Sequence, residues 1–397
     1  MNPTVTILDV EATGAQRNKG HPFDHRNRLT HIGIYVPNIP DLFTPAIEYR
    51  LGSPYGDSLQ MVQRNLDATT LLVGVNIKYD LHWCTRYGLK LPEKCRIFDC
   101  QLAEFLLSSQ KTRYPSMAGI EQRLFGKVSK KSTLTDYYDL GLDTDDVPED
   151  ELIDYLAQDL VGTYKIYKRL KKELIEQNKW TLFQLQCADL LTLQECEFNG
   201  ARYNYELSAE LSRECTARER RITESLSEYI RDVPTELGFN WQSNDHFSAL
   251  LFGGTVPFNV KVLNGTFKTG PNAGNAKYRN EIRTHIFPRL VPPRKGTELK
   301  KEGFYSTSEG VLADLHAKGK AKKIIDAVLE LSKLQKIRGT YYDGIPKIAA
   351  KKGWEDGYIH GQLNQCVAIT GRLSSSEPNL QNNSPEVKKC FESRYAD

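Results

Sequence analysis

Residues 4–10, TVTILDV, are a run of β-branched and aliphatic residues that reads as a strand. It runs into a pair of carboxylates. Alternate side chains of an extended chain share a face, so Asp9 and Glu11 stand side by side. Two carboxylates held together repel unless a cation sits between them, so the pair invites Mg²⁺ or Mn²⁺. The plainer reading is a surface strand with its acids facing water, and the pair alone does not separate the two.

Further runs at 32–36 (IGIYV) and 71–76 (LLVGVN) also read as strands, the second buried. The loop between the first two, GAQRNKGHPFDHRNRLTH, is rich in Gly, Pro, Asn and charge. Helical patterns follow at 100–109, 116–125 and 149–178. The last opens on Glu149, Asp150 and Glu151 and closes near Lys168, Arg169, Lys171 and Lys172, a polarity that suits the helix dipole. This order predicts an α/β sheet domain ending near residue 178. Residues 180–232 read as nearly all helical, with 205–231 as one long charged helix. Residues 253–304 read as loop-rich, with turn chemistry throughout. Helix is expected again at 306–318 and 321–350, and strand, turn and loop from 357.

Three more residues extend the acidic pattern. Asp80 follows a buried strand in GVNIKYDL and opens a helix, where a capping carboxylate is the plainer reading. Tyr155 and Asp159 stand four apart and so share one helix face, as many hydrogen-bonded helix pairs do.

The 397 residues suffice for two or three domains, and 40% hydrophobic with 26% charged residues reads as soluble and globular. No apolar run approaches the roughly 20 residues that span a bilayer. The start, MNPTVTILDVEATG, lacks the pattern of a secretory signal. Eight scattered cysteines without a C-x-x-C pair argue against a disulfide framework or zinc ribbon and suit a reducing cytosol. The scattered histidines do not favour a His-based metal site. Charge is uneven. Residues 1–180 hold 23 Lys/Arg against 24 Asp/Glu, whereas residues 255–352 hold 20 against 8, a net of +12. The second stretch is a candidate phosphate-binding surface, or an ordinary solvated face.

Strand pair, strand end, then helix is the order in which these carboxylates arrive. With the words LDVEATG, GVNIKYDLHW and DYLAQDLVGTYKIY, it resembles the DEDD exonuclease superfamily, tyrosine subclass, over about residues 4–170. The resemblance implies a ribonuclease H-like mixed sheet flanked by helices. It implies 3′→5′ hydrolysis of DNA with two hard cations, Mg²⁺ or Mn²⁺, about 4 Å apart. Carried over residue by residue, Asp9, Glu11 and Asp159 hold the first ion, and Asp9 and Asp80 hold the second. Tyr155 orients the attacking water, since a phenol with a pKa of about 10 is a poor general base at neutral pH. Asn76 orients backbone or substrate, or serves as a turn-stabilising amide.

Residues 370–382, TGRLSSSEPNLQN, are similar to the TGRLSS-x-x-PNLQN signature of family A DNA polymerases. In that family the loop sits on the palm against primer–template duplex. Arg372 would then reach the minor groove, and Ser374, Ser375, Asn379 and Asn382 would bond backbone or base edges. Minor-groove acceptors are alike for all correct pairs, so an arginine there checks pairing without reading sequence. FYSTSEGVLADL (304–315) resembles a thumb segment, and residues 190–211 and 331–348 resemble the elements that enter and leave the thumb. GHPFDHRNR (20–28) and a long 264–303 insertion are similar to phage members.

The implied domains are an exonuclease at 1–178, connecting helices and thumb at 179–355 with a loop-rich insertion at about 255–303, and an incomplete start of the palm at 356–397. The family's palm aspartates and fingers helix lie downstream of the TGRLSS loop. Residues 391–397, FESRYAD, precede them, and Asp397 is read as loop. PNLQNNSP also replaces the familiar PNLQNIP. The expectation is a proofreading exonuclease and DNA-gripping portion of a split polymerase, which polymerises only with a complementary palm and fingers half. A chain cut by an intein or intron, or a truncated gene, gives the same pattern. A DNA-gripping accessory subunit or a free-standing exonuclease is the alternative. Expected partners are a single-stranded 3′ end, primer–template duplex, the complementary half and a processivity factor. No membrane is expected, and the location is cytoplasmic, in a host if the chain is phage-encoded.

Overall fold

A computed structural model describes residues 4–37, 58–128, 133–354 and 357–393. Asp397 lies outside them. The described residues fall into two compact units, one drawn from 1–205 and 345–397 and the other Glu206–Gly344.

The first unit is built on a mixed four-stranded sheet. Its strands are β1 (Val5–Ala12), β2 (Leu29–Tyr35), β3 (Leu71–Gly74) and β4 (Arg96–Asp99), in the order β2-β1-β3-β4. β2 runs antiparallel to β1, whereas β3 and β4 run parallel to it. The first three strands fall where the sequence predicts them, whereas β4 was not expected, because RIFD is charged at both ends and offers no apolar run.

Helices Ile77–Arg86, Cys100–Leu107, Glu149–Glu176 and Trp180–Asn199 cover the sheet. The 28-residue helix buries Leu152, Leu156, Leu160, Tyr167, Leu170 and Leu174, an apolar stripe at three- and four-residue spacing. Each fully buried leucine contributes about 1.5–3 kcal/mol. The helix comes unusually close to β2 at Gly33. A Cβ there would sit 2.8 Å from Leu156 Cγ and 2.8 Å from Leu160 Cδ1.

Later segments of the chain also build this unit. β5 (Ala201–Tyr203) is the middle strand of a three-stranded sheet, between β8 (Tyr358–Ile359) and β11 (Phe391–Glu392). β9 (Gln362–Asn364) pairs antiparallel with β10 (Ser374–Ser376), which lies within the TGRLSS segment.

The second unit corrects the loop-rich reading of 253–304. β6 (Gly254–Thr266) and β7 (Ala276–Phe287) form a long antiparallel hairpin, paired from Gly254↔Phe287 to Leu263↔Tyr278 and again at Thr266↔Ala276. Gly265, Gly270, Pro271, Asn272 and Gly274 mark its tip, while Pro288, Pro292, Pro293, Gly296 and Gly303 fall in the irregular stretch after Phe287, where the loop expectation holds. The strand signal was the alternation of Val256, Phe258 and Val260, which are buried among Phe247, Leu250, Phe252 and Ile324. Pro257 is tolerated because a two-stranded ribbon leaves each strand one free edge. The opposite hairpin face leaves Ile282 and Ile286 about 70% exposed, at 70% and 73%.

The helix expected at 306–318 shrinks to Glu309–Ala313. An extended Lys318 and a positive-φ Gly319 separate it from the next helix, Gly319–Ile337. The helix expected at 321–350 breaks at a π turn, Arg338–Tyr342, before resuming at Gly344–Lys352. There the Gly339 carbonyl oxygen would stand 2.6 Å from a Cβ on Gly344, and Arg338 is held by Glu219 and Asp343.

Candidate active site

β1 carries Asp9 and Glu11 on one face, both half-buried, with Leu8, Val10 and Ala12 buried on the other. The close approach at Gly33 matters here, because Gly33 is the register partner of Asp9. It lets the Glu149–Glu176 helix lie down on the sheet beside that residue. Tyr155 and Asp159 flank Leu156 and Leu160 on this helix and so reach the β1 carboxylates. Asp9, Glu11 and Asp159 place carboxylate oxygens within 4.8 Å of one another, as a cation site requires. The Tyr155 hydroxyl hydrogen-bonds to Asp159.

Asp80 enters from the neighbouring helix, Ile77–Arg86. It is buried, and its Oδ1 accepts the Val10 N–H at 3.1 Å. Burial first, and then the negative charge of Asp9, pushes its pKa well above the usual carboxylate range. Burial, followed by Asp159, Glu11 and Asp9, likewise pushes the Tyr155 phenol up, so it stays a neutral hydroxyl. A set of hard oxygen donors that repel one another fits a divalent cation.

Asn76 adopts a left-handed backbone at φ 57°, and its side chain does not cap the helix it precedes. Its carbonyl accepts the Tyr79 N–H at 3.0 Å. Asn76 lines a small cavity with Lys78, Gln101, Tyr114 and Asn364.

The sequence reading missed the groups that brace this site. Asp143 accepts the Gly14 N–H at 2.9 and 2.7 Å and the Ala15 N–H at 3.3 Å, just beyond β1. Thr144 Oγ1 donates to the Ala12 carbonyl at 2.8 Å. Tyr79 Oη donates to the Gly20 carbonyl at 2.9 Å. Asp143 sits in a dense acidic run, so its sequence offered no sign of this role. A second buried carboxylate, Asp99, caps the Cys100–Leu107 helix and also accepts the Ile77 N–H; burial raises its pKa to about 6.

In the 370–382 segment, Arg372, Asn379 and Asn382 are exposed and Ser374 is half-buried. Ser375 differs from the expectation of a DNA contact. It is 6% exposed, and its hydroxyl accepts the Leu380 N–H at 3.0 Å and donates to the Pro378 carbonyl at 3.4 Å. Its hydroxyl closes the loop from within.

Residues 54–175 match the family described as 3′-5′ exonuclease, and residues 259–395 match DNA polymerase family A. The chain is 26% identical over 312 residues to DNA polymerase I of Synechocystis sp. (strain ATCC 27184 / PCC 6803 / Kazusa), covering 77% of this chain and 26% of that protein. It is 36% identical over 116 residues to the thermostable DNA polymerase I of Thermus thermophilus, covering 29% of this chain and 13% of that protein. At most, then, it spans about a quarter of the length of these relatives. A solved structure titled "POL domain of Pol1 from M. smegmatis complex with DNA primer-template and dNTP" shares the fold. Its TM-score is 0.65 at 16% identity, over 98% of this chain and 55% of that one. No helix among the described residues is long and apolar enough to cross a membrane. With a 3′-5′ exonuclease match ahead of a polymerase match, the chain is similar to the family A DNA polymerases.

Proposed function

We propose that the chain removes nucleotides from the 3′ end of single-stranded DNA, with two Mg²⁺ or Mn²⁺ ions at the carboxylate cluster. The observation that carries this reading is the convergence of Asp9, Glu11 and Asp159 oxygens within 4.8 Å, from a strand and a helix far apart in sequence. Asp9, Glu11 and Asp159 would hold one ion, and Asp9 with Asp80 the other. Bound there, the ions supply Lewis-acid activation of water and stabilisation of the leaving 3′ oxygen. Tyr155 stays protonated and orients water as a donor or acceptor, without taking its proton. Asn76, exposed at the end of β3, is assigned to the substrate side of the site. The sheet is read as ribonuclease H-like, in keeping with its antiparallel β2 and parallel β3 and β4.

The remaining segments are assigned to DNA gripping. The 179–355 stretch, with its basic 255–352 part, serves as connecting helices and thumb, and 356–397 serves as the start of the palm. Arg372, Ser374, Asn379 and Asn382 contact duplex, Arg372 in the minor groove. Polymerisation belongs to a complex with a complementary palm and fingers segment. A phage-type member is the finer reading, supported by the 20–28 loop and the β6–β7 insertion. The test is a 3′-labelled single strand incubated with Mg²⁺ or Mn²⁺ and the wild-type or Asp9→Ala chain. Loss of label is expected only for wild type, and wild-type inertness contradicts the reading.

A further inference from the structure

Glu197, on the Trp180–Asn199 helix, lies outside the carboxylate cluster and is 5% exposed. Its carboxylate takes three donors: Lys78 Nζ at 2.6 Å, His82 Nε2 at 2.8 Å and the Leu363 N–H at 2.5 Å. Gln194 Nε2 donates to His82 Nδ1 at 3.3 Å, which leaves the proton of that ring on Nε2. Lys78 Nζ also donates to the Leu363 carbonyl at 2.6 Å.

These contacts tie two places together. Lys78 and His82 stand two residues either side of Asp80 on the same helix. Leu363 is in β9, where its two backbone groups end on the Lys78–Glu197 pair as they would on a neighbouring strand. On the other edge of β9, Leu363 is the register partner of Ser375 in the TGRLSS segment. A well-packed apolar group would often stabilise such an interior as well as a buried ion pair does. What the ion pair adds is direction: three donors on two oxygens fix the helix and the strand at once.

We infer that Glu197 is a positioning residue shared by two sites. Through Lys78 and His82 it sets the helix that presents Asp80 to the cation cluster. Through Leu363 it sets β9, and so the 370–382 segment, for duplex DNA. This rests on the proposed function. Lys78 and the Leu363 N–H donate to one Glu197 oxygen and His82 to the other, so Glu197→Gln sets an amide NH₂ against at least one of these donors and the three bonds cannot all be kept.

The experiment uses the full chain and two probes that need no turnover. One is Mn²⁺ alone, followed by electron paramagnetic resonance. The other is a labelled primer–template duplex in EDTA, followed by anisotropy. Wild type is expected to bind both. Glu197→Gln is expected to weaken each about fivefold or more, and Lys78→Met to act in the same direction. Asp80→Asn is expected to weaken Mn²⁺ alone, and Glu197→Asp to restore part of both losses. Thermal melting checks folding, and Lys78→Met carries the test if Glu197→Gln does not fold. Mn²⁺ and duplex affinities within about twofold of wild type, or a change in only one of them, would overturn the inference. Collapse of both variants would also overturn it, by making the pair a requirement of folding instead. Failure of wild type to bind either probe would instead remove the proposed function beneath it.

Discussion

The Val10 N–H donates to Asp80 Oδ1 at 3.1 Å, so the residue between Asp9 and Glu11 fixes a further carboxylate by its backbone. A strand and a helix are thereby locked at the point where the charges gather. Gathering the charges carries an electrostatic cost, and Asp80 bears part of it through its burial and the neighbouring charge of Asp9.

That cost predicts a pH dependence. Asp80 holds its proton well above the ordinary carboxylate range, through burial and the charge of Asp9. A cation must displace that proton, so Mn²⁺ affinity is expected to rise as pH climbs through the raised value. In the metal-free chain, the unfolded state ionises first. Stability is therefore expected to fall over the same window, from the ordinary carboxylate value of 3.8 upward. Calorimetric Mn²⁺ titrations at several pH values check the first trend, and urea melts the second. Asp80→Asn should flatten both.

Gly33 predicts a second effect, away from the chemistry. A Cβ there overlaps Leu156 and Leu160, so Gly33→Val is expected to destabilise the chain by about 1–3 kcal/mol. It should also lift Tyr155 and Asp159 from Asp9. Nuclease rate is expected to fall more than in a surface variant of equal stability. Equal losses at matched stability would detach Gly33 from the site.

Acid sensitivity follows from His21, which is 6% exposed and whose pKa burial lowers to about 3. Its Nδ1 accepts the Phe23 N–H at 3.3 Å, as a neutral ring can. The unfolded ring takes a proton near pH 6.5, which the folded ring refuses. Its contribution is full above pH 6.5 and lost as pH falls toward about 3, at up to about 1.4 kcal/mol per pH unit. Denaturant midpoints at pH 7 and pH 5 should differ less in His21→Gln.

The logarithm of duplex affinity is expected to fall linearly with log salt, because neutralised phosphates release counterions. Reversing charge at Lys318, Lys320, Lys322 and Lys323 should flatten the slope. Lys322 is already paired with Asp326 at 2.8 Å, so its share should be the smallest. An unchanged slope would make these lysines a solvated face only.

Much of the site was legible because its chemistry sits in short words on regular elements. Asp9 and Glu11 followed from alternation in β1, and Tyr155 with Asp159 from helical spacing. Gly33, Asp143 and Glu197 were not legible, because each acts on a partner remote in sequence and none has a local signature. The β6–β7 hairpin was hidden by its own tip. Turn residues dominated the composition of 253–304, while alternation at Val256, Phe258 and Val260 held the structural information. Ser375 shows the same limit in the other direction: its word matched a signature, yet burial gave its hydroxyl to the loop.

The most direct test is hydrolysis of a 3′-labelled single strand by the purified chain, with Mg²⁺ or Mn²⁺ against EDTA. The account predicts stepwise release of mononucleotides from the 3′ end with either ion and none in EDTA. Asp9→Ala should abolish release, and Tyr155→Phe should slow it by a smaller factor, since it loses one hydrogen bond and no cation ligand. Release that persists in Asp9→Ala or in EDTA, or a folded wild-type chain that leaves the strand intact, would contradict it.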